Sequence, residues 1–421
     1  MSFETISVIG LGYIGLPTAA MFASRKKKVI GVDVNPHAVD TINQGKIHIV
    51  EPDLDMMVHA AVNGGYLKAT TTPEAADAFL IAVPTPFLPC AEGDIPAPDL
   101  SYIEAASKAI APVLKKGDLV ILESTSPVGA TEQMAAWLAE ARSDLTFPQT
   151  HAEEADVNIA HCPERVLPGH VVRELVENDR VIGGLTAKCS ARAVELYKTF
   201  VQGECVITNA RTAEMAKLTE NSSRDVQIAF ANELSIICDK LDINVWELIA
   251  LANRHPRVNI LQPGPGVGGH CIAVDPWFIV SKTPEEAQII HTARKVNDSK
   301  PQWVINKVKL AIADFLQANP EKTAKEVTIA CYGLAFKPDI DDLRESPALG
   351  ITKAINELHA GRVLAIEPNI HELPKYLERL ELVTLDTAKG EADIHVMLVD
   401  HVEFKATEIN SKFVVDTKGI W

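Results

Sequence analysis

The stretch "PGPGVGGHCIAVDP", residues 263–276, sets Cys271 behind two prolines and four glycines and four residues ahead of Asp275. Glycine reaches backbone angles that other residues avoid, and without a Cβ it admits a close neighbour, here a ligand reaching the sulfur. A cysteine that only fills core beside a turn needs neither property, and that plain reading is the alternative. A second set of reactive types lies upstream, where "AKLTENSSR" spaces Lys217 and Asn221 four apart, on one face of any helix, with Arg224 one further turn on. An ammonium and an amide together can hold an oxygen that gains negative charge; a solvated polar stripe is the other explanation. Glu164, in "CPERVLPG", follows an apolar run and reads either as a general base or as a surface acid. His270 abuts Cys271, but adjacent ligands without a spaced second pair make poor metal geometry, so no metal is expected.

A different chemistry opens the chain. "VIGLGYIG" matches GxGxxG at Gly10, Gly12 and Gly15, after an apolar run and before a helical pattern. Gly10 permits the tight turn, Gly12 admits a diphosphate, and Gly15 allows close packing, with helix amides aimed at the phosphates. The next apolar run, "VIGVDV", ends in Asp33, which suits the ribose hydroxyls and repels a 2′-phosphate, so NAD is expected rather than NADP. Thr85 in "AVPTP" and Thr125 in "ESTSPVGAT" stand at later strand ends, where ligands of such sheets lie; ordinary turn chemistry explains each equally well. Far downstream, "GLAFKPDIDDLRES" follows another strand run, with Lys337 and Arg344 where a glycine fingerprint would stand. Basic groups there suit a second, phosphate-bearing ligand.

Elements must position these groups. "TISVIG", "KVIGVDV", "AFLIAV", "LVILES", "VNIAHC" and "RVIGG" are continuous apolar runs, the mark of strands buried on both faces of a parallel sheet. Helical segments such as Thr131–Glu140 alternate with them. From Thr208 the pattern changes to more than thirty residues without glycine or proline, a long helix capped by Thr208 or Asn209, with further helix around 284–317. Strand runs return in "EVTIACYGLAF", "RVLAIEP", "ADIHVMLV" and "KFVVDTKGIW". The fold class is therefore α/β, with two Rossmann-like doubly wound parallel-sheet domains joined by a helical middle section. The expected division is an NAD-binding domain at 1–207, a helical domain with the cysteine loop at 208–318, and a third α/β domain at 319–421.

At 421 residues the chain exceeds one ordinary core, and 47% hydrophobic with 23% charged residues fits a globular protein. A net charge of −16, with both signs interspersed, argues against nucleic-acid or anionic-membrane partners. Seven scattered cysteines without a CxxC pair suggest a reducing cytoplasm rather than a disulfide framework. "MSFETISVIG" puts an acid and a strand where a leader needs basic and long apolar segments, and no apolar run is long enough to span a membrane.

Taken in order, GxGxxG with Asp33, "STSPVGAT", "CPERVLPG", "AKLTEN", "GVGGHC" and "GLAFKPDIDDLRES" resemble the UDP-glucose/GDP-mannose dehydrogenase family over essentially the whole chain. The resemblance implies a cytoplasmic homodimer that oxidises a sugar C6 alcohol to a carboxylate with two NAD, for bacterial surface polysaccharide. It implies Cys271 as nucleophile, Lys217 as the group handling charge at the sugar oxygen, Asn221 and Asp275 orienting water or oxyanion, and Glu164 assisting thioester hydrolysis. Arg165, Val166, Arg224, His255, Arg257, Gly268 and Lys337 are implied sugar-nucleotide contacts, along with Lys217 and Asn221. Tyr13 and Ile14 join the NAD loop, and Arg344 falls on the NAD side.

Members acting on UDP-glucose carry lysine before the aspartate, whereas Val274 stands here. With "RHPRVNI" ahead of the cysteine loop, the implied substrate is UDP-N-acetyl-D-mannosamine, with UDP-glucose or UDP-N-acetylglucosamine as alternatives. An NAD-binding sensor or scaffold without activity would not need Lys217, Cys271 and Asp275 together. The role of Asp33 predicts that the protein binds NAD far more tightly than NADP. Titrating both checks it, and equal affinities would remove Asp33 from that role.

Overall fold

The computed structural model describes residues 3–49, 51–91, 93–166, 169–269, 271–373, 377 and 380–421. Two compact units, Met1–Glu220 and Asn221–Trp421, divide inside the long helix Ala210–Lys240. Asn209 caps that helix, its Oδ1 accepting the Thr212 N–H at 2.9 Å.

The first unit holds β1 (Thr5–Ile9), β2 (Lys28–Val32), β3 (Leu67–Thr70), β4 (Ala78–Ile81), β5 (Leu119–Leu122), β6 (Asn158–His161), β7 (Arg180–Gly184) and β8 (Cys205–Asn209). They form one sheet in the order β3-β2-β1-β4-β5-β6-β7-β8. β1 to β6 are parallel, in the strand order of dinucleotide-binding folds, with a switch point between β1 and β4. Burial on both faces explains the unbroken apolar runs: in β5, Leu119 and Ile121 enter one core and Val120 and Leu122 the other. The helix Gly15–Ser24 covers the first face, while Ser101–Ile110 and Ala130–Ala141 cover the second.

One feature departs from an all-parallel sheet. β7 runs antiparallel to β6, pairing Ala160 with Gly184 and His161 with Gly183, and β8 follows β7 in parallel. A parallel neighbour needs a crossover that carries the chain back to its starting edge. Between β6 and β7 the described helix is the short Val171–Glu177, and the chain enters β7 at the end where it left β6.

The second unit holds β9 (Ile329–Tyr332), β10 (Val363–Ile366), β11 (Glu381–Leu382), β12 (Ile394–Met397) and β13 (Val414–Asp416), all parallel, in the order β11-β10-β9-β12-β13. Its strand order repeats the centre of the first sheet. The helix Pro347–Leu358 and the C-terminal half of Gln288–Ala318 cover one face, with Val304, Ile305, Val308 and Phe315 in that core. A helix that the sequence groups with the middle section thus packs on the second sheet. No helix among the described residues is long and apolar enough to cross a membrane.

Candidate functional site

The loop after β1 is held by its neighbours. Gly10 has φ +90°, and a Cβ there would meet the Ala82 carbonyl oxygen at 2.6 Å; a Cβ on Gly15 would overlap the Gly10 carbonyl. Gly12 differs: nothing of the protein lies within 4 Å of its Cβ position, so this side of the loop is open to a ligand. Asp33, half-buried beyond β2, accepts the Leu11 N–H at 2.9 Å through Oδ2 and the Asn35 N–H through Oδ1. Ile14 precedes the helix Gly15–Ser24, and Tyr13 is 40% exposed beside it. Beyond β4, the buried Thr85 Oγ1 has no hydrogen-bond partner among the described residues. These features fit a dinucleotide whose diphosphate lies on the Gly12 side, with hydroxyl donors at the neighbouring strand ends.

Thr125 is half-buried in the loop beyond β5. That loop is fixed by Glu214 of the long helix, whose carboxylate accepts the Gly129 N–H at 2.7 Å, the Thr131 N–H at 2.8 Å and the Thr131 hydroxyl at 2.6 Å. Glu214 thus occupies the N-terminus of the helix Ala130–Ala141. Nothing local in the sequence marks Glu214 for this task, since its partners lie more than eighty residues away.

Glu164 is not a surface acid. It is 6% exposed, Arg180 Nη1 donates to its Oε2 at 2.8 Å, and the Arg165 N–H donates to its Oε1 at 2.6 Å. Continuing the β6–β7 register sets Glu164 opposite Arg180, so the reversed strand delivers the cation. The Arg180 guanidinium lies 5.3 Å from the centre of the Tyr197 ring, and the Tyr197 hydroxyl donates at 2.6 Å to Glu123 Oε1. Burial pushes Glu123 up to about 7, against the pull of Arg180 and with the like charge of Glu164 adding to the rise. Burial likewise pushes the nearby Cys162 thiol up to about 12. Glu123, Arg180 and Tyr197 were missed from sequence, although a charge ending or opening an apolar run ("LVILES", "DRVIGG") was the available signal. Arg165 is half-exposed and pairs with Glu220 at 2.6 Å, and Val166 packs against the first core. Lys217, half-buried, lies on the long helix one turn before Asn221.

In the second unit the glycines around Cys271 have a packing use that the sequence did not reveal. A Cβ on Gly268 would meet the Glu345 carbonyl oxygen at 2.5 Å and Pro347 Cδ at 2.7 Å. Gly266, at φ +151°, packs against Pro347 and Pro301, and Gly269, at φ +83°, against the Phe336 ring. These glycines let the cysteine loop lie on the chain's own 336–347 segment, a packing demand in addition to any room for a ligand. Cys271 is exposed, and its carbonyl accepts the Asp275 N–H at 2.9 Å where the helix Asp275–Lys282 begins. His270 lies outside the described residues. The buried Asp275 accepts the Asn221 amide at 2.5 Å. Arg224, His255 and Arg257 are exposed, and His255 Nδ1 accepts the Arg257 N–H at 3.3 Å.

The loop after β9 repeats the device of the first unit. The Gly333 N–H donates to the Ile366 carbonyl at 2.8 Å, as that of Gly10 does to Val32 at 2.7 Å. Glu367, beyond β10, accepts the Leu334 and Ala335 N–H groups at 2.8 and 3.0 Å. His401 holds the same carboxylate at 3.0 Å and accepts the Asp339 N–H through Nδ1. On this pinned loop Lys337 is exposed with no ion-pair partner among the described residues, while Arg344 is forked onto Asp342.

The sequence models of one family match nearly all of this architecture: a "UDP-glucose/GDP-mannose dehydrogenase family, NAD binding domain" over residues 4–201, its central domain over 211–299 and its UDP binding domain over 330–421. The chain belongs to the UDP-glucose/GDP-mannose dehydrogenase family. Membership makes it a dehydrogenase that uses NAD. A relative from Yersinia pestis, named UDP-N-acetyl-D-mannosamine dehydrogenase, is 71% identical over the full length of both chains. One from Ralstonia nicotianae, named NDP-N-acetyl-D-galactosaminuronic acid dehydrogenase, is 63% identical, covering 100% of this chain and 97% of its own. The solved UDP-D-ManNAc dehydrogenase of Pyrococcus horikoshii superposes with a TM-score of 0.83 at 38% identity, covering 99% of this chain and 96% of that one.

An exposed lysine on the fixed loop of a UDP-binding domain predicts a phosphate contact. Lys337→Ala should raise KM for the sugar nucleotide roughly ten- to a hundredfold, from the loss of about 1.5–3 kcal/mol of charge-assisted hydrogen bonding, with KM for NAD nearly unchanged. Steady-state kinetics with each substrate varied checks this, and an unchanged sugar-nucleotide KM would assign the loop another task.

Proposed function

We propose that the protein oxidises the C6 alcohol of UDP-N-acetyl-D-mannosamine to the carboxylate, in the cytoplasm, for bacterial surface polysaccharide. The observation that carries the choice of sugar is the 71% identity, end to end, with the Yersinia pestis relative of that name. Val274 before Asp275, in place of the lysine expected for a UDP-glucose enzyme, supports it from within the chain. An acetamide has a methyl to pack and an amide to pair, and a site built for it leaves polar groups unpaired when glucose binds.

NAD supplies the hydride acceptor, two equivalents for the two hydrides lost from C6. The chain supplies the rest. Lys217, with Asn221, holds the sugar oxygen as the alcohol loses its proton and its C–H bond. The Cys271 sulfur adds to the aldehyde carbon, so the product of the first oxidation stays on the protein as a hemithioacetal. Loss of a second hydride and a proton leaves a thioester. Glu164 takes a proton from water as its oxygen adds to the thioester carbon, the C–S bond breaks, and the sulfur recovers its proton. The balance is one alcohol, two NAD⁺ and one water giving one carboxylate, two NADH and three protons. The hydrogen bond between Asn221 and Asp275 supports their joint role as orienting groups.

By this reading residues 1–207 bind NAD, 208–318 carry the nucleophile loop, and 319–421 bind the UDP-sugar, with Arg165, Val166, Arg224, His255, Arg257, Gly268 and Lys337 as contacts. Thr85, Thr125 and Arg344 serve the NAD side. The active form is a homodimer. Phe230 and Ile237, exposed seven apart on the long helix, with the exposed Leu241 just past its end, support this as one apolar face that a second copy of the same helix can cover.

Two measurements test the proposal. Comparing kcat/KM for UDP-N-acetyl-D-mannosamine with the N-acetylgalactosamine, N-acetylglucosamine and glucose nucleotides should favour the first by about tenfold or more. A higher value for any other would reassign the sugar and leave the chemistry standing. Cys271→Ser should stop acid formation while the first oxidation persists, leaving aldehyde or a serine adduct for a carbonyl-trapping reagent. Normal uronate production by this variant would sink the covalent route.

A further inference from the structure

Glu123 and Glu164 lie about one guanidinium in the first unit, Glu164 paired with Arg180 directly and Glu123 hydrogen-bonded to the Tyr197 hydroxyl whose ring the guanidinium overlies; every member is nearly inaccessible. Glu123 is 1% exposed, Arg180 2%, Tyr197 0% and Cys162 0%. They converge from four places in the chain: the end of β5, the segment after β6, the start of β7 and the helix Ala187–Tyr197. Arg180 gives Nη1 to Glu164, while its Nε and Nη2 have no hydrogen-bond partner among the described residues. Glu123 Oε1 accepts from Tyr197, and its Oε2 has no partner either. The charge count is uneven: one fixed positive charge serves two acids, while the phenol of Tyr197 and the thiol of Cys162 are both held in their neutral forms by burial. Glu164 keeps its hydrogen-bonded pair, and Glu123 is the group left to carry a proton.

We propose that Glu123 is a positioning residue for Glu164, acting through Arg180. When protonated it leaves the guanidinium wholly to Glu164, and when ionised it draws on that charge and loosens the Arg180–Glu164 pair. This rests on the reading of Glu164 as the group that activates water at the thioester. The physical basis is the field of like charges in surroundings of low dielectric, which acts on Glu123. The groups facing Glu123 are Arg180 from β7, Glu164 and Cys162 from the segment after β6, and Tyr197 from its helix. Burial brings the Glu123 titration to about 7, within the range in which the enzyme can be assayed. Thioester hydrolysis should therefore quicken as pH rises through neutrality, because ionising Glu123 loosens the arginine's hold on Glu164.

The test uses the full-length enzyme with NAD and UDP-N-acetyl-D-mannosamine, quenched in acid and weighed intact, so that acyl-enzyme decay is followed directly from mildly acid to mildly alkaline pH. The wild-type decay rate should rise through one inflection near neutrality. Glu123→Gln should lower the rate severalfold and abolish the inflection, while the initial burst of NADH is retained. Tyr197→Phe removes a donor that favours the ionised carboxylate, so it should move the inflection to higher pH. A Glu123→Gln enzyme with the wild-type rate and inflection would overturn the proposal, whatever its melting temperature, as would a wild-type rate without an inflection. If Glu123→Gln does not fold, an inflection left in place by Tyr197→Phe overturns it. Glu164→Gln separates the two claims, since it should accumulate acyl-enzyme at every pH. If it does not, the reading of Glu164 fails and this proposal falls with it; if it does, the Glu123 result stands on its own.

Discussion

The ion pair between Arg180 and Glu164 is the contact on which the ligand edge of the first unit depends. Both groups are nearly inaccessible, and taking two charges out of water costs several kcal/mol for each ion unless the pair is well made. Such a pair is weak evidence of stability, since apolar residues of the same volume often do as well. Its value is positional. Arg180 opens β7, and only because β7 runs against β6 does that first residue lie beside the segment leaving β6. A parallel β7 would put the guanidinium at the other end of the sheet and leave Glu164 without a counter-charge.

A second constraint is used twice. In each unit the residue after the first central strand is a glycine with φ near +90°, its N–H bound to the last carbonyl of the neighbouring strand. In each, an acid one residue further along that neighbour takes the N–H that follows. The two copies then diverge. Asp33 is half-buried beside an open glycine loop, as a group meant to meet a ribose would be. Glu367 is buried; desolvation would raise it, but His401 and the Leu334 N–H outweigh that and hold its carboxyl below the usual range. Glu367 is spent on the loop, on which Lys337 stays exposed. One backbone device thus supports a dinucleotide in one unit and, by the family's description, a UDP group in the other.

Much of this was legible in the sequence wherever one residue's surroundings are set by its near neighbours. Strands buried on both faces read as apolar runs, and each such run became a strand. The three that went unread, β3, β8 and β11, are edge strands, which lack two-faced burial and so carry Lys68, Thr208 and Glu381. The reversal of β7 had no local signal, because direction is set by the connection and not by composition. Glu123 and Arg180 stood in view as charges at the ends of apolar runs, but their meeting with Tyr197 did not: 74 residues separate Glu123 from Tyr197, and only the folded sheet joins them. The glycines around Cys271 were visible but their packing use was not, since the 336–347 segment that crowds them lies far along the chain.

In the proposed reaction one carbon is oxidised twice without leaving the protein, the sulfur of Cys271 holding the aldehyde between steps. The most direct test is the yield of NADH when a limiting amount of UDP-N-acetyl-D-mannosamine is taken to completion with excess NAD. Two NADH for each sugar nucleotide, with no free aldehyde along the way, is the predicted result; one NADH for each, with aldehyde as the end product, would contradict it.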